Sequence, residues 1–210
     1  MATLLYLQAS PRHGRSHSLA VADAFLEAYV QLHPQDTIDT LDLFALDLPP
    51  FDGLLVNAKY NILHGRPQPS EEAAAWKQVE ALIAQFKDAD KYVLASPMWN
   101  FGIPYRLKQY LDILVQPTYT FGYTPESGYF GLVTGKPIFV ALARGGAYPP
   151  GSPAAHIDFQ KPYLDFILRF IGFTDIRWAI VEPTLEQGPE TAQARRQEAI
   201  TQARKLAADF

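Results

Sequence analysis

Three serines lie in one short segment near the amino terminus, where their hydroxyl groups could bind an anion. The segment Gln8–Ser18 reads Gln-Ala-Ser-Pro-Arg-His-Gly-Arg-Ser-His-Ser and contains Ser10, Ser16 and Ser18. It is neither the glycine fingerprint of a Rossmann fold nor a P-loop, because no Gly-Lys-Ser/Thr is present. If a helix follows, its free backbone N–H groups and these hydroxyls would bind a phosphate without a metal. Alternatively, Ser16 and Ser18 only cap the helix.

A second segment, Ser96–Pro104, combines two large aromatic side chains with a methionine, prolines and one amide. Its sequence is Ser-Pro-Met-Trp-Asn-Phe-Gly-Ile-Pro. Such a stiff, apolar loop suits a flat heteroaromatic ligand, because apolar groups cover its faces and a few polar groups bind its edge. Asn100 is the candidate for that edge, and packing of the loop into the core is the alternative. Four side chains of the following helix are expected to face solvent: Tyr105, Arg106, Lys108 and Gln109.

A third segment, Ala143–Pro150, contains the paired glycines Gly145 and Gly146. Glycine lets the backbone approach a ligand closely or adopt a positive φ, although a plain turn is the alternative. Taken together, the three segments offer a phosphate site, an aromatic platform with an amide, and a close-approach backbone. This combination describes flavin mononucleotide (FMN) better than a ligand that lacks either a phosphate or a flat ring.

The elements that must position these segments alternate between short apolar runs and stretches of helical period. Five strands are predicted: Thr3–Leu7, Thr37–Leu41, Lys91–Ala95, Lys136–Ala143 and Ile176–Val181. Ser16 or Ser18 is predicted to cap the first helix and Ser70 the second. Further helices are predicted with Pro104 in the first turn and from Pro162, and the last covers Pro189–Ala208. Strands that are each followed by a helix predict an α/β fold, a doubly wound parallel sheet covered on both faces. Ligands bind beyond the carboxyl ends of such strands, so the three segments are expected to meet.

Composition limits the classes of protein to consider. The chain has 210 residues, 48% hydrophobic and 19% charged, which fits one globular domain over 1–210. The net charge of −4 gives no basic excess for a nucleic-acid partner. The absence of cysteine excludes disulfides, thiol nucleophiles and cysteine-bound metals. No His-Glu-x-x-His motif is present among the five histidines, and no metal site is predicted.

The apolar runs indicate where the protein resides. The first residues, Met1–Leu7, carry no basic region of the kind that begins a signal peptide. No apolar run approaches the ~18 residues that a membrane span needs. A cytoplasmic protein without a membrane partner is therefore expected. Two connections are unusually long for plain loops, the Pro/Asp/Gly-rich stretch Asp47–Pro69 and the glycine-rich stretch Gly122–Gly135.

At these loops the sequence resembles the FMN-dependent NADH-azoreductases, a quinone-reductase branch of the flavodoxin-like superfamily. The resemblance extends from Leu4 to the last helix. The motifs that carry it are Ser10 with Ser16-His17-Ser18, Pro97-Met98-Trp99-Asn100-Phe101, Thr120-Phe121-Gly122-Tyr123-Thr124, Gly131 to Lys136, and Arg144-Gly145-Gly146. The resemblance implies a flavodoxin-like sheet of order 2-1-3-4-5, one FMN-binding domain, tightly bound FMN, and NADH or NADPH as the electron donor.

The resemblance also assigns roles to residues. The phosphate would be held by Ser10, Ser16, His17 and Ser18. The flavin ring would lie along Pro97, Met98, Trp99, Asn100 and Phe101, with Ala143, Arg144, Gly145 and Gly146 at its other edge. Two positions depart from the family pattern, since Ala143 stands where serine is usual and Trp99 where tyrosine is common. Both departures leave open the preferred acceptor and the choice between NADH and NADPH.

Family members are homodimers with FMN sites at the interface, so the resemblance implies the same partner here. Aromatic residues of one subunit would then cover the flavin of the other. The candidates for this substrate pocket are Phe121, Tyr123, Tyr148, Phe166 and Phe170. For Phe166 and Phe170, four residues apart on a predicted helix, core packing is the alternative.

The expected activity is the transfer of two electrons from a nicotinamide to quinones or aromatic azo compounds, in ping-pong order through FMN. An azo compound would need two rounds to be cleaved to amines. No catalytic side chain is predicted, because solvent can protonate the acceptor; His156 and Tyr148 are the other candidate donors. A serine hydrolase is excluded by the absence of Gly-x-Ser-x-Gly. The alternatives that stay open are a flavodoxin-like electron carrier and a regulatory flavoprotein.

Overall fold

The computed structural model describes residues 1–210 and contains a parallel sheet and a separate hairpin. In chain order the strands are β1 (Thr3–Gln8), β2 (Thr37–Asp42), β3 (Lys91–Pro97), β4 (Phe121–Thr124), β5 (Gly128–Gly131), β6 (Ile138–Ala143) and β7 (Ile176–Val181). The sheet has the order β2-β1-β3-β6-β7, and every neighbouring pair is parallel. Counted within this sheet the order is 2-1-3-4-5, the doubly wound topology of flavodoxin. The predicted fold class is confirmed.

Helices cover both faces of the sheet, because strand side chains alternate between the two faces. The helices are α1 (His17–Leu32), α2 (Gly53–Leu63), α3 (Ser70–Asp88), α4 (Tyr105–Leu114), α5 (Lys161–Ile171) and α6 (Gly188–Leu206). One core layer contains Leu5 and Leu94 with residues of α2 to α5, and the other contains Leu4 and Val93 with residues of α1 and α6. None of the six helices combines the length and the apolarity required to span a membrane.

Two predicted irregular stretches contain regular elements. Within Asp47–Pro69 the structure has α2, whose first turn is capped where the Leu54 N–H donates to Asp52 Oδ1 (3.0 Å). This helix buries only Leu55 and Ala58, so its apolar periodicity is weak. The glycine-rich stretch forms the antiparallel hairpin of β4 and β5. Its strands have four residues each, too few for a period of two to stand out.

Three local expectations differ from the structure. Ser70 is the first residue of α3 rather than its cap, since Pro69 occupies the cap position. Arg106 and Gln109 do not simply face solvent, because both donate to the loop after β2. The Arg106 Nε donates to the Leu43 carbonyl (2.7 Å) and the Gln109 Nε2 to the Pro49 carbonyl (3.0 Å). These bonds satisfy loop carbonyls that no strand partner reaches.

Candidate functional site

The loops after β1, β3 and β6 converge on one cavity at the carboxyl edge of the sheet. The cavity has a volume of 290 Å³, close to the lower bound of about 300 Å³ for small-molecule sites. Its lining residues are Ser10, Arg12, Ser16, His17, Pro97, Met98, Trp99, Ala143, Gly145, Thr184 and Leu185. The predicted meeting of the three loops is what the structure shows. Ser18, Asn100, Phe101, Arg144 and Gly146 were predicted beside them and do not line this cavity.

The serine-rich end of the cavity is the amino terminus of α1. Ser16 caps the helix, with its Oγ accepting from the Leu19 N–H (3.4 Å) and lying 3.1 Å from the Ser18 Oγ. Capping and ligand binding are therefore compatible at this serine. The first N–H groups of a helix have no partner within it, so they remain available to an anion.

Two side-chain atoms at this end are buried and have no hydrogen-bond partner, the Ser10 Oγ and the His17 Nδ1. Buried polar groups in proteins are nearly always paired, so these two indicate a missing ligand. Burial lowers the pKa of the His17 imidazole, and the positive charges of Arg196 and Arg12 lower it further. Without a ligand the imidazole is therefore neutral at neutral pH. A phosphate would find hydroxyls, helix N–H groups and nearby cations here.

The aromatic loop after β3 makes a tight turn with unusual backbone angles. Trp99 and Gly102 exchange backbone hydrogen bonds (both 3.0 Å), and the residues between them, Asn100 and Phe101, have φ of 47° and 68°. Non-glycine residues rarely adopt positive φ, and such strain is typical of ligand-binding sites. The Met98 N–H donates to the Ala143 carbonyl (2.8 Å), which fixes this loop against the one after β6.

Trp99 is the wall shared by two cavities. Its ring packs on Phe44 (centroids 5.6 Å apart) and on Tyr105 (6.4 Å). A second, open cavity of 530 Å³ lies on its far side and is lined by Trp99, Asn100, Gly102, Ile103, Tyr105, Lys108, Phe159 and Tyr163. Asn100 therefore lies in this adjoining cavity. Phe44 was not predicted, because only the contact with Trp99 distinguishes it from other loop aromatics.

At the end of β6 and in the loop that follows it, alternate residues line the 290 Å³ cavity. Ala143 and Gly145 line it, whereas the Arg144 side chain points the other way and is 1% exposed. Successive side chains of extended backbone point to opposite sides, which explains this separation. The space beside the Gly146 Cα is occupied by the Glu186 carboxylate and the Tyr148 hydroxyl, so a side chain at this position would collide with them.

Four of the five predicted pocket aromatics form a cluster with Tyr129, away from the 290 Å³ cavity. Phe121, Tyr123 and Tyr129 of the hairpin meet Phe166 and Phe170 of α5, and we call these five residues the lid cluster. The Phe121 and Phe170 centroids are 4.8 Å apart, and those of Phe166 and Phe170 are 6.1 Å apart. Phe166 is 64% exposed, so core packing does not explain it.

The two candidate proton donors lie outside both cavities described so far. Tyr148 lines a third cavity, of 450 Å³, together with Arg144. His156 is exposed, and its Nδ1 lies 2.7 Å from the Pro153 carbonyl. Thr184 and Leu185, which line the 290 Å³ cavity, were not predicted. They lie a few residues after the end of β7. Because ligands bind beyond the carboxyl ends of parallel strands, this loop could have been predicted to line the cavity.

Comparison with known proteins gives a family and close relatives. A family described as having a flavodoxin-like fold matches residues 2–207. The chain is 57% identical over 210 residues, all of both proteins, to the FMN-dependent NADH:quinone oxidoreductase of Nitratidesulfovibrio vulgaris strain Hildenborough. It is 48% identical over 185 residues to the protein of the same name from Desulfotalea psychrophila, covering 88% of this chain and 87% of that protein.

Solved structures agree over the whole chain. The azoreductase from Bacillus anthracis strain Sterne has a TM-score of 0.91 at 33% identity, with both chains fully covered. The FMN-dependent NADH-azoreductase from the Ames Ancestor strain, solved in complex with FMN, has a TM-score of 0.87 at 29% identity and covers 99% of this chain and all of its own.

Proposed function

This chain belongs to the family with the flavodoxin-like fold, and from that membership we propose that it is an FMN-dependent enzyme that transfers two electrons from NADH to quinones and aromatic azo compounds. The observation that carries the proposal is a cavity in which buried, unpartnered polar atoms of Ser10 and His17 lie at one end and Trp99 at the other. Relatives named as FMN-dependent NADH:quinone oxidoreductases support the choice of donor and acceptor.

The residues present fit FMN. Ser10, Ser16, His17 and the first N–H groups of α1 would hold the phosphate, with Ser18 supporting Ser16 through the contact of their hydroxyls. Arg12 would add a positive charge at the same end. The flavin ring would then lie along Pro97, Met98 and Trp99. FMN supplies the redox chemistry when bound, because its ring takes up a hydride and passes on two electrons.

The chain's own groups would bind and orient the cofactor and the acceptor. The Gly145 and Gly146 N–H groups have no acceptor within the chain, so they are available to the polar edge of the ring and to negative charge that develops there. Asn100, with its constrained backbone, would bind the acceptor or the ring edge from the adjoining cavity. No carboxylic acid lines either cavity, and the adjoining one is open, so solvent can reach a bound quinone and supply the protons that convert it to a hydroquinone.

The adjoining cavity of 530 Å³ is proposed as the place where the donor and the acceptor bind. Five of its eight lining residues are hydrophobic, which suits flat, electron-poor rings. Since one open cavity adjoins Trp99, the nicotinamide would have to leave before an acceptor enters, which supports a ping-pong order. An azo compound would take two such rounds to be cleaved to two amines.

We also propose a homodimer, because two groups of large aromatic side chains are exposed to solvent. Tyr123, Tyr129 and Phe166 of the lid cluster are 60%, 67% and 64% exposed, and Tyr105 and Phe159 beside the open cavity are 66% and 62% exposed. Clusters of exposed apolar side chains mark interaction sites. Light scattering is expected to give twice the monomer mass, with a monomer mass as the contrary result.

Reduction of the bound cofactor tests the function directly. The purified protein, loaded with FMN and kept free of oxygen, is expected to lose its flavin absorption band when NADH is added and to regain it when a quinone follows. The physical reason is that one site serves both half-reactions. A flavin that binds but is not reduced by NADH would favour the electron carrier. Failure to retain FMN would contradict the proposal itself.

A further inference from the structure

A buried guanidinium lies behind the cofactor cavity and has no role in the function proposed above. The Arg144 side chain is 1% exposed, and its Nη1 forms ion pairs with Asp158 (Nη1–Oδ2 3.0 Å) and Glu182 (Nη1–Oε2 3.2 Å). Its Nε donates to the Gln160 Oε1 (3.1 Å). Two carboxylates and one amide balance the buried charge, because the planar fork of arginine can reach several partners at once. The Nη2 of the same group is also buried and has no partner within the chain.

These partners connect segments that are remote in sequence. Asp158 and Gln160 precede α5, and Glu182 follows β7. Gln160 is fully buried and also donates from its Nε2 to the Ser96 carbonyl, at the end of β3 (3.4 Å). Through one neutral side chain, the guanidinium is therefore linked to the strand that leads into the aromatic loop.

The same short segment, Asp158–Gln160, holds two further elements of the site. The Phe159 N–H donates to the carbonyl of Phe101, in the strained turn of the aromatic loop (3.0 Å). The Asp158 Oδ1 accepts from the N–H groups of Gln160 (3.0 Å) and Lys161 (3.1 Å) at the start of α5. Since α5 carries Phe166 and Phe170, the lid cluster is connected to the same ion pair.

The glycine turn that follows Arg144 is fixed on both sides. The Arg144 carbonyl accepts from both the N–H and the hydroxyl of Thr184 (2.9 Å each). The Glu182 Oε2 that pairs with the guanidinium also accepts from the Tyr148 N–H (3.0 Å). These bonds hold the backbone on either side of Gly145 and Gly146, whose own N–H groups have no acceptor within the chain.

We propose that Arg144 is a positioning residue, whose buried side chain locks the loops after β3, β6 and β7 and the start of α5 into the arrangement that binds the cofactor. It does so without touching the ligand, because its side chain lines the 450 Å³ cavity with Tyr148 and Glu182 and not the 290 Å³ cavity. This inference rests on the proposed function for the identity of the cofactor. The loop contacts are independent of that identity.

Two substitutions separate a positioning role from a ligand contact. Arg144→Lys keeps the positive charge but cannot reach Gln160, Asp158 and Glu182 together. Gln160→Met keeps the side-chain length and removes the hydrogen bonds to Arg144 and to the Ser96 carbonyl. Gln160 itself lines none of the described cavities. We expect each variant to raise the Kd for FMN about tenfold, and the double variant to be no weaker than Arg144→Lys alone, because both break one network.

Arg177→Lys is the matched control. Arg177 also bonds an aspartate, Asp175, and two backbone carbonyls, those of Leu206 and Asp209, but it lies at the opposite end of β7 from the loops. We expect this variant to lose less thermal stability than Arg144→Lys, because the Arg177 pair is more exposed, while its Kd for FMN stays unchanged. A parallel rise in Kd for Arg177→Lys would show that general destabilisation, and not loop position, lowers the affinity.

Hydrogen exchange of the apoprotein supplies a readout that needs no cofactor. In Arg144→Lys and Gln160→Met, the amides of Tyr148 and Phe159 are expected to exchange faster than in the wild type. Unchanged exchange together with weaker FMN binding in Arg144→Lys alone would identify a ligand contact and overturn the proposal. If Arg144→Lys does not fold, the Kd for FMN and the amide exchange of Gln160→Met test the proposal instead. If the wild type binds no FMN, the proposed function fails. Hydrogen exchange alone then tests whether Arg144 fixes the position of the loops.

Discussion

Ser16→Asp is expected to lose FMN affinity by about 100-fold or more while the apoprotein stays as stable as the wild type. Aspartate caps helices as well as serine does, and its charge is favoured at a helix amino terminus. The same carboxylate would lie beside the phosphate. Two like charges about 4 Å apart at the edge of a protein repel by about 4 kcal/mol, and about 1.4 kcal/mol is tenfold in Kd.

Riboflavin, which lacks the phosphate, is the matched ligand for this variant. Fluorescence titration is expected to give the same riboflavin Kd for Ser16→Asp and the wild type, with only the FMN Kd raised. Ser16→Ala serves as the matched variant, because it removes the cap without adding charge and is expected to cost about 1 kcal/mol of stability. Equal losses for FMN and riboflavin would contradict a phosphate site at Ser16.

Gly172→Ala is expected to lower the free energy of unfolding by about 3 kcal/mol or more, the largest stability effect we predict. Gly172 ends α5 with φ of 122°, which side-chain-bearing residues rarely adopt. A Cβ there would lie 2.8 Å from the Val133 carbonyl oxygen and 3.0 Å from its carbon. These are backbone atoms next to the hairpin, so they cannot rotate away as a flexible side chain could.

Gly188→Ala is the control for the backbone angle alone. Gly188 has φ of 80° at the start of α6, and nothing lies within 4 Å of a Cβ built on it. Urea denaturation of the apoprotein is expected to show a loss of about 1 kcal/mol for this variant, the cost of a left-handed residue. Equal losses for both variants would show that close packing of α5 against the hairpin adds nothing.

The hairpin and α2 show why local patterns missed part of the fold. The inner strands β1, β3 and β6 are apolar runs buried over most of their length, and β6 is buried at all six positions, so its sequence alone indicates a central strand. By contrast, α2 buries only Leu55 and Ala58, and the hairpin exposes Tyr123 and Tyr129. A helix or strand that buries few apolar side chains shows little hydrophobic periodicity in its sequence, even when its backbone is regular.

The candidate site also contains residues that the sequence predicted and residues that it did not. Ser10, Ser16, Met98 and Gly145 follow strand ends, and the rule for parallel sheets predicts that such residues meet. Thr184 and Leu185 also line the cavity, but their residue types carry no chemical signal. Arg106 and Gln109 were expected at the solvent-exposed face, and they bind loop carbonyls instead. The place of Thr184 and Leu185 in the cavity and the bonds of Arg106 and Gln109 both depend on contacts between remote segments, which form only on folding.

The sequence by itself determined the strands of the sheet and three of the loops that line the 290 Å³ cavity, because strand runs, glycines and serine caps are properties of short segments. The strand order followed from the family resemblance. Only the tertiary structure decided that Arg144, within the motif Arg144-Gly145-Gly146, turns away from the cavity toward Asp158 and Glu182. The direction of a side chain after a strand depends on the register of that strand and on charges supplied from remote segments. Neither the register nor the remote charges can be obtained from the three residues themselves.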